Sequence, residues 1–323
     1  MSRELLNILT KITNQRLILP MYHCVSDKPI IHLQNLYKIP NKKQFENDLD
    51  FILKNFKPAS LEDILNHANG NKIIEENSFH LTFDDGFTEV FENAIPILER
   101  KGIPATLFIN TAFVENTGLM FRCKVSLIIN ELKSTDAKLK LSQKLKCKTE
   151  EIQSILLSLN HSDTALINEC ASLVGIDFNR YLNQNKPYLS LEQLKIIEKK
   201  GYTIGAHSFD HPEFKYLSDE SQIVQVKKSV DYIKSNFNQK FTSFSFPFTD
   251  FGISKKVFET IYNLTDSKID ITFGVAGLRT DSQKMNLQRI PMEHKSYNST
   301  QMLLYQYFKY IAYSFIGKQK IER

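Results

Sequence analysis

Leu81, Thr82, Phe83, Asp84, Asp85 and Gly86 form an apolar run that stops abruptly at two adjacent carboxylates and a glycine. Later the chain supplies His207, Ser208, Phe209, Asp210 and His211, a histidine pair spaced i, i+4 behind another apolar run, Tyr202 to Ala206. Taken alone, Asp-Asp-Gly is a common turn, because both residue types suit turn geometry. A lone His-x-x-x-His pair is as readily two surface histidines. Together, at the ends of two β-like runs, they offer complementary ligands. Two imidazoles and one carboxylate hold a divalent ion and leave a coordination position open, which distinguishes a catalytic site from a closed structural one. The second carboxylate can then serve as general base on a bound water. The pattern reads as a metal-dependent hydrolase.

Outward from these runs the chain alternates strands and helices. Leu17–Met21, Ser78–Phe83, Ala105–Ile109, Tyr202–Ala206, Phe241–Phe246 and Ile271–Val275 read as strands, while Val90–Lys101 and Ser221–Phe237 read as helices. That alternation argues for parallel βαβ units. His23, Asp84, Asp85, His207 and the Pro247 loop all follow strand runs, where a (β/α) barrel builds its site. Segment 115–190 breaks the rhythm. It is polar and helical in pattern, without strand runs, and reads as a helical insertion or lid over the site.

The 323 residues are 42% hydrophobic and 24% charged, enough for a substantial core. A net charge of +5 is spread along the chain, and no zinc-finger spacing or basic helix points to nucleic acid. Cys24, Cys123, Cys147 and Cys170 show no paired spacing and read as reduced thiols. The N-terminus carries no secretory pattern, so a cytoplasmic enzyme is expected. From Met302 to Ile316 the chain is rich in aromatic and aliphatic residues, followed by Lys318, Lys320 and Arg323. Such a helix either closes the barrel, the favoured reading, or makes weak contact with the inner membrane surface.

The Leu81–Gly86 and His207–His211 motifs resemble those of the polysaccharide deacetylases, the carbohydrate esterase family 4 proteins with the NodB-homology domain. Pro20, Met21, Tyr22 and His23 resemble the opening motif of the branch that deacetylates poly-N-acetylglucosamine. The resemblance implies an α/β fold, a distorted (β/α)7 barrel, with 115–190 inserted in a single catalytic domain over 1–323. It implies Asp84 as general base, Asp85, His207 and His211 as metal ligands, and His23 as general acid, ranked above His294. Zn²⁺ suits that ligand set, and Co²⁺, Ni²⁺ or Mn²⁺ could take it.

The third motif departs from the family pattern. In Phe244 to Asp250, Ser245 stands where an arginine can stand and Thr249 where glycine is usual. Pro247, Phe248 and Arg289 are the expected substrate contacts. The implied reaction removes an N-acetyl or other N-acyl group from an amino sugar of a glycan. Two alternatives remain: a deacylase or deformylase of a lipid-linked sugar, and a non-catalytic glycan-binding barrel. No nucleic-acid partner is expected.

Overall fold

In the computed structural model, residues 3–294 and 296–323 are described. Eight parallel strand segments make one continuous sheet: β1 (Pro20–Tyr22), β2 (Leu81–Phe83), β3 (Ala105–Ile109), β4 (Thr203–Ala206), β5 (Ser243–Ser245), β6 (Ile271–Gly274), β7 (Asn286–Gln288) and β8 (Ile290–Pro291). Met21 pairs with Thr82, Phe83 with Leu107, Ile109 with Ala206, Ala206 with Phe244, and Ser245 with Phe273. The segments β1, β2, β3, β5 and β6 are buried at every residue. Short apolar runs without polar alternation are what parallel strands covered on both faces require.

The sheet closes in an unusual way. β7 pairs with β6, while β8, one residue further on, pairs with β1. The two are one strand broken at Arg289, serving both open edges. Arg289 N–H donates to Gly274 O (3.0 Å), and Ile290 N–H donates to Leu19 O (2.8 Å). Counted as continuous strands the barrel has seven, as the family resemblance implied. The strand at 286–291 is an addition to the six read from the sequence.

Helices join the strands outside the barrel and start where the sequence allows. Asn41, Ser60, Ser190, Ser218, Ser254 and Asn298 each accept a backbone N–H of the following turn. Each such cap contributes about 1 kcal/mol. Between β3 and β4, the segment 115–190 read as an insertion contains helices Phe121–Asn130, Thr135–Leu145, Ile152–Ser158, Thr164–Leu173 and Phe178–Asn185. Its buried Leu141, Ile152, Leu156 and Ile167 belong to the same hydrophobic core as the barrel. The returning chain is tied to the loop after Asp85: Leu189 N–H donates to Gly86 O (3.0 Å), and Tyr188 stacks on Phe87 and Phe113.

The helix Ser299–Phe315 buries Met302, Leu303, Leu304 and Tyr307, as the core reading of the tail expected, and leaves Phe308 and Phe315 exposed. Tyr307 donates to Gln15 O (2.8 Å), joining this helix to the segment after the N-terminal helix. The basic end differs from expectation. Arg323 is not a solvated or headgroup-facing cation, because its side chain is buried against Asp250 and Asp281. No helix among the described residues is long and apolar enough to cross a membrane.

Packing within the barrel predicts one sensitive glycine. A Cβ on Gly205 would lie 2.6 Å from ring carbons of Phe108 and from Ser243 Oγ. Gly205→Ala is expected to cost about 1–3 kcal/mol, as overpacking does, read from urea unfolding midpoints. An unchanged midpoint would contradict this packing.

Candidate active site

The residues after the strands converge at the C-terminal mouth of the barrel. A cavity of about 560 Å³ there is lined by His23 after β1, Asp84 and Asp85 after β2, His207 after β4, and also by His211, Phe246 and Phe248. Asp85 Oδ1 lies 3.2 Å from His211 Nε2 and 3.5 Å from His207 Nε2. All three side chains are buried, and one ligating atom from each falls within 4.8 Å of the others. Asp85 Oδ1 is also left without a hydrogen bond. A buried carboxylate oxygen in that state calls for a cation, so the donor set fits a divalent ion.

Each member of this cluster is aimed by its surroundings. His207 Nδ1 meets Ser245 O at 2.8 Å. A carbonyl only accepts, so Nδ1 carries the proton and the Nε2 lone pair faces the cluster. Burial pushes the His207 imidazole down to about 4, keeping it neutral. Burial alone would raise Asp85, but His211 beside it pulls the carboxyl below its ordinary range. Asp85, Ser208 and His211 have φ of 73°, 71° and 60°, conformations disfavoured for side chains with a Cβ. His207 N–H bonded to Ile109 O (2.9 Å) and His211 N–H bonded to Ser208 Oγ (3.1 Å) hold this loop.

Asp84 is held differently. Arg289 grips it with two parallel bonds, Nη1 to Oδ1 at 2.6 Å and Nη2 to Oδ2 at 2.7 Å. Burial raises the Asp84 carboxyl, yet the guanidinium beside it brings it below the ordinary carboxylate range. The remaining Arg289 donors reach Ser245 Oγ (2.5 Å), Thr82 Oγ1 (3.2 Å) and Gly274 O (3.2 Å). Arg289 is therefore not a substrate contact: it is wholly buried beneath the cavity and positions Asp84. Small Ser245, where the family pattern admits an arginine, leaves the room that Arg289 fills from the last strand.

His23 faces the cluster from β1. Glu293 accepts from His23 Nδ1 (2.5 Å) and from the His23 backbone N–H (2.9 Å). Burial pulls this imidazole down, but the Glu293 charge and hydrogen bond outweigh it, lifting the group to about 9. Tyr37 stacks on its ring at 4.2 Å and donates to Asp85 Oδ2 (3.4 Å). His294, by contrast, is exposed, stacked on Tyr297, and does not line this cavity.

Phe248 lines the cavity and packs edge-on to His211 at 4.5 Å. Pro247 does not line it. Its carbonyl accepts from Thr249 N–H (2.6 Å) across a tight turn that puts Phe248 at φ 58°. The positive φ that a glycine would have supplied thus falls on Phe248, one residue earlier. The insertion contributes Met120, Arg122 and Leu157 to the cavity wall. It also grips the histidine loop: Arg122 Nη2 donates to Glu213 (2.9 Å), and His161 Nε2 meets Asp210 (3.2 Å). Glu293, Tyr37, Asn35 and these insertion residues were not singled out from the sequence.

The model of the family described as polysaccharide deacetylase matches residues 72–265. The chain belongs to the polysaccharide deacetylase family. The matched span holds both aspartates and the histidine pair, while His23, Arg289 and Glu293 lie outside it. YxkH of Bacillus subtilis (strain 168) is 21% identical over 228 residues, covering 70% of this chain and 54% of YxkH. The chain therefore spans about half the length of that curated relative. Among solved structures, IcaB from Ammonifex degensii aligns with a TM-score of 0.58 and 14% identity over 90% of this chain and 97% of that one. The Streptococcus pyogenes deacetylase PplD, in complex with acetate, aligns at 0.56 and 16% identity over 89% and 96%. At such identities the likeness is one of fold.

The buried ion pair sets a stability prediction. Arg289→Met leaves Asp84 buried without its partner, a change expected to cost about 3–5 kcal/mol at neutral pH. With the guanidinium gone, the Asp84 carboxyl rises, so protonation at lower pH relieves the penalty. The deficit against the parent protein should shrink as pH falls toward about 4. Urea titrations of chelator-treated protein across that range check it, and a pH-independent deficit would contradict the assignment.

Proposed function

We propose that the protein is a metal-dependent hydrolase that removes the N-acetyl group from an amino sugar of a glycan. The observation that carries this reading is the convergence, in one cavity, of Asp85, His207 and His211 with a separate carboxylate and a separate charged imidazole. Asp85, His207 and His211 would hold the ion, and Zn²⁺ suits them, with Co²⁺, Ni²⁺ or Mn²⁺ able to take the same ligands. A bound divalent ion supplies Lewis acidity toward the amide carbonyl and acidifies water.

The protein's own groups do the rest. Asp84, kept ionised by Arg289, accepts the proton of the water whose oxygen bonds to the acyl carbon. An amine leaves poorly unless protonated, and His23 holds the proton that its nitrogen needs as the C–N bond breaks. Acetate and a free amino sugar result. The non-polar part of the wall, including Met21, Met120, Leu157 and Phe248, suits the acyl methyl and the C–H face of a sugar ring. The presence of every one of these groups weighs against a non-catalytic barrel.

Acetate release from N-acetylglucosamine oligomers, with and without chelator, tests the reading directly. Loss of release on chelation and its return with Zn²⁺ is the expected result; release insensitive to chelation would refute metal dependence. His207→Ala and Asp85→Ala should lose bound metal, measured by elemental analysis. Asp84→Asn should keep the metal and lose about 10²- to 10⁴-fold in turnover.

The His23–Glu293 pair predicts a pH profile. The acid form is competent and is lost as pH rises through the imidazole's value, so activity should fall on the alkaline side near 9. Glu293→Gln removes the charge that lifts the imidazole, leaving burial to lower it. The alkaline limb of the rate profile should then move to lower pH. A limb unmoved by that substitution would take the acid role from His23.

A further inference from the structure

A second buried arginine sits on the far side of the strand that carries Arg289. The guanidinium of Arg323 lies between Asp250 and Asp281, with all three side chains at most 3% exposed. Its Nη2 donates to Asp281 Oδ2 (2.6 Å), and its Nε faces both Asp281 oxygens at 3.3 and 3.2 Å. Asp250 receives Nη2 at its carboxylate and Nη1 at its carbonyl.

The same two carboxylates also receive side chains of β7. Asn286 Nδ2 donates to Asp250 (2.7 Å) and Asp281 (2.9 Å), and Gln288 Nε2 donates to the same pair at 2.6 and 3.1 Å. These alternate residues share one face of the strand. Their amide oxygens are taken by Thr272 Oγ1 (2.9 Å) and Ala276 N–H (2.8 Å), so neither amide can rotate without losing bonds. The residue after Gln288 is Arg289, where the strand breaks. Asp250 also lies in the loop carrying Phe248, and its carboxylate fills the space over Gly274, where a Cβ would fall 2.3 Å away. Gly274 O in turn accepts from Arg289.

We propose that Arg323 is a positioning residue of the active site: by neutralising Asp250 and Asp281 it fixes β7 and the Phe248 loop, so that Arg289 meets Asp84 in register. This role rests on the deacetylase reading for its effect on rate, though not for its effect on structure. Two carboxylates sharing amide donors in a buried site repel one another once the guanidinium is removed. The nearest way to relieve that repulsion is to shift the strand or the loop, and both lead to the reacting groups.

Arg323→Met, which keeps a stem of similar length, and the Arg323→Met/Asp281→Asn double variant separate this from a plain loss of packing. Amide hydrogen exchange should quicken in Arg323→Met over 246–250 and 286–291 and return toward the parent rate in the double variant. Metal content should stay near that of the parent, while kcat/KM on N-acetylglucosamine oligomers drops by about ten- to a hundredfold, the scale of a small misplacement remote from the chemistry. Recovery of rate with the charge-removing second substitution is the expected result. Unchanged exchange and rate in Arg323→Met, or a double variant no better than the single one, would overturn the proposal. Should Arg323→Met not fold, Arg323→Gln, which also removes the charge, and its double variant with Asp281→Asn take its place with the same criteria. If the parent protein releases no acetate, the deacetylase reading fails, and the exchange rates alone decide the role of Arg323.

Discussion

The fold and the site depend on one buried interaction, the two-bond grip of Arg289 on Asp84. A guanidinium without solvent contact loses several kcal/mol of hydration, which only a well-matched anion and further acceptors offset. Asp84, Ser245, Thr82 and Gly274 supply them. Arg289 is the residue at which the strand breaks, and the break lets β7 pair with one edge and β8 with the other. Barrel closure and the hold on the proposed base thus meet at the same residue. Ser245 is part of that solution, since a large side chain there would occupy the guanidinium's place.

A second constraint is backbone strain concentrated at the mouth. Asp85, Ser208, His211 and Phe248 all have positive φ, each costing on the order of 1–3 kcal/mol unless the surroundings enforce it. The enforcement comes largely from the helical insertion. Its returning chain bonds to Gly86, His161 tethers Asp210 between His207 and His211, and Arg122 tethers Glu213 just beyond them. The insertion is therefore bound to the catalytic loops at both motifs, and its Arg122 and Leu157 form wall as well as scaffold. A freely swinging lid would leave those conformations unsupported.

What the sequence made legible follows from where information is stored. Asp84, Asp85 and His207 sit directly behind apolar runs and His211 follows at i+4, so run and polar group are read together, and His23 shares that placement. Arg289 and Glu293 do not announce themselves. Their partners lie 205 and 270 positions away, and the strand between them is short, broken and half polar, with no periodicity to mark it. Arg289 is offered by the sequence as a substrate contact, and its burial beside Asp84 is visible only in the fold. Arg323 was harder still. A basic residue beyond the end of an amphipathic helix reads as solvated, and only the tertiary fold brings Asp250 and Asp281 around it.

The two imidazoles that flank the carboxylates show how environment separates identical side chains into different roles. Both are buried, and burial lowers both. His207 finds a neutral carbonyl behind it and remains low, at about 4, so across the neutral range its Nε2 offers a lone pair. His23 finds Glu293 instead, which reverses the effect of burial and keeps the ring charged up to about 9. Between those limits one histidine offers a lone pair, as the proposed ligand must, and the other a proton, as the proposed acid must, the pattern of sites that push like groups apart in pKa. Exchanging the two backing groups would exchange the roles. It follows that Ser245 O and Glu293, neither of which carries the chemistry, decide which histidine does what.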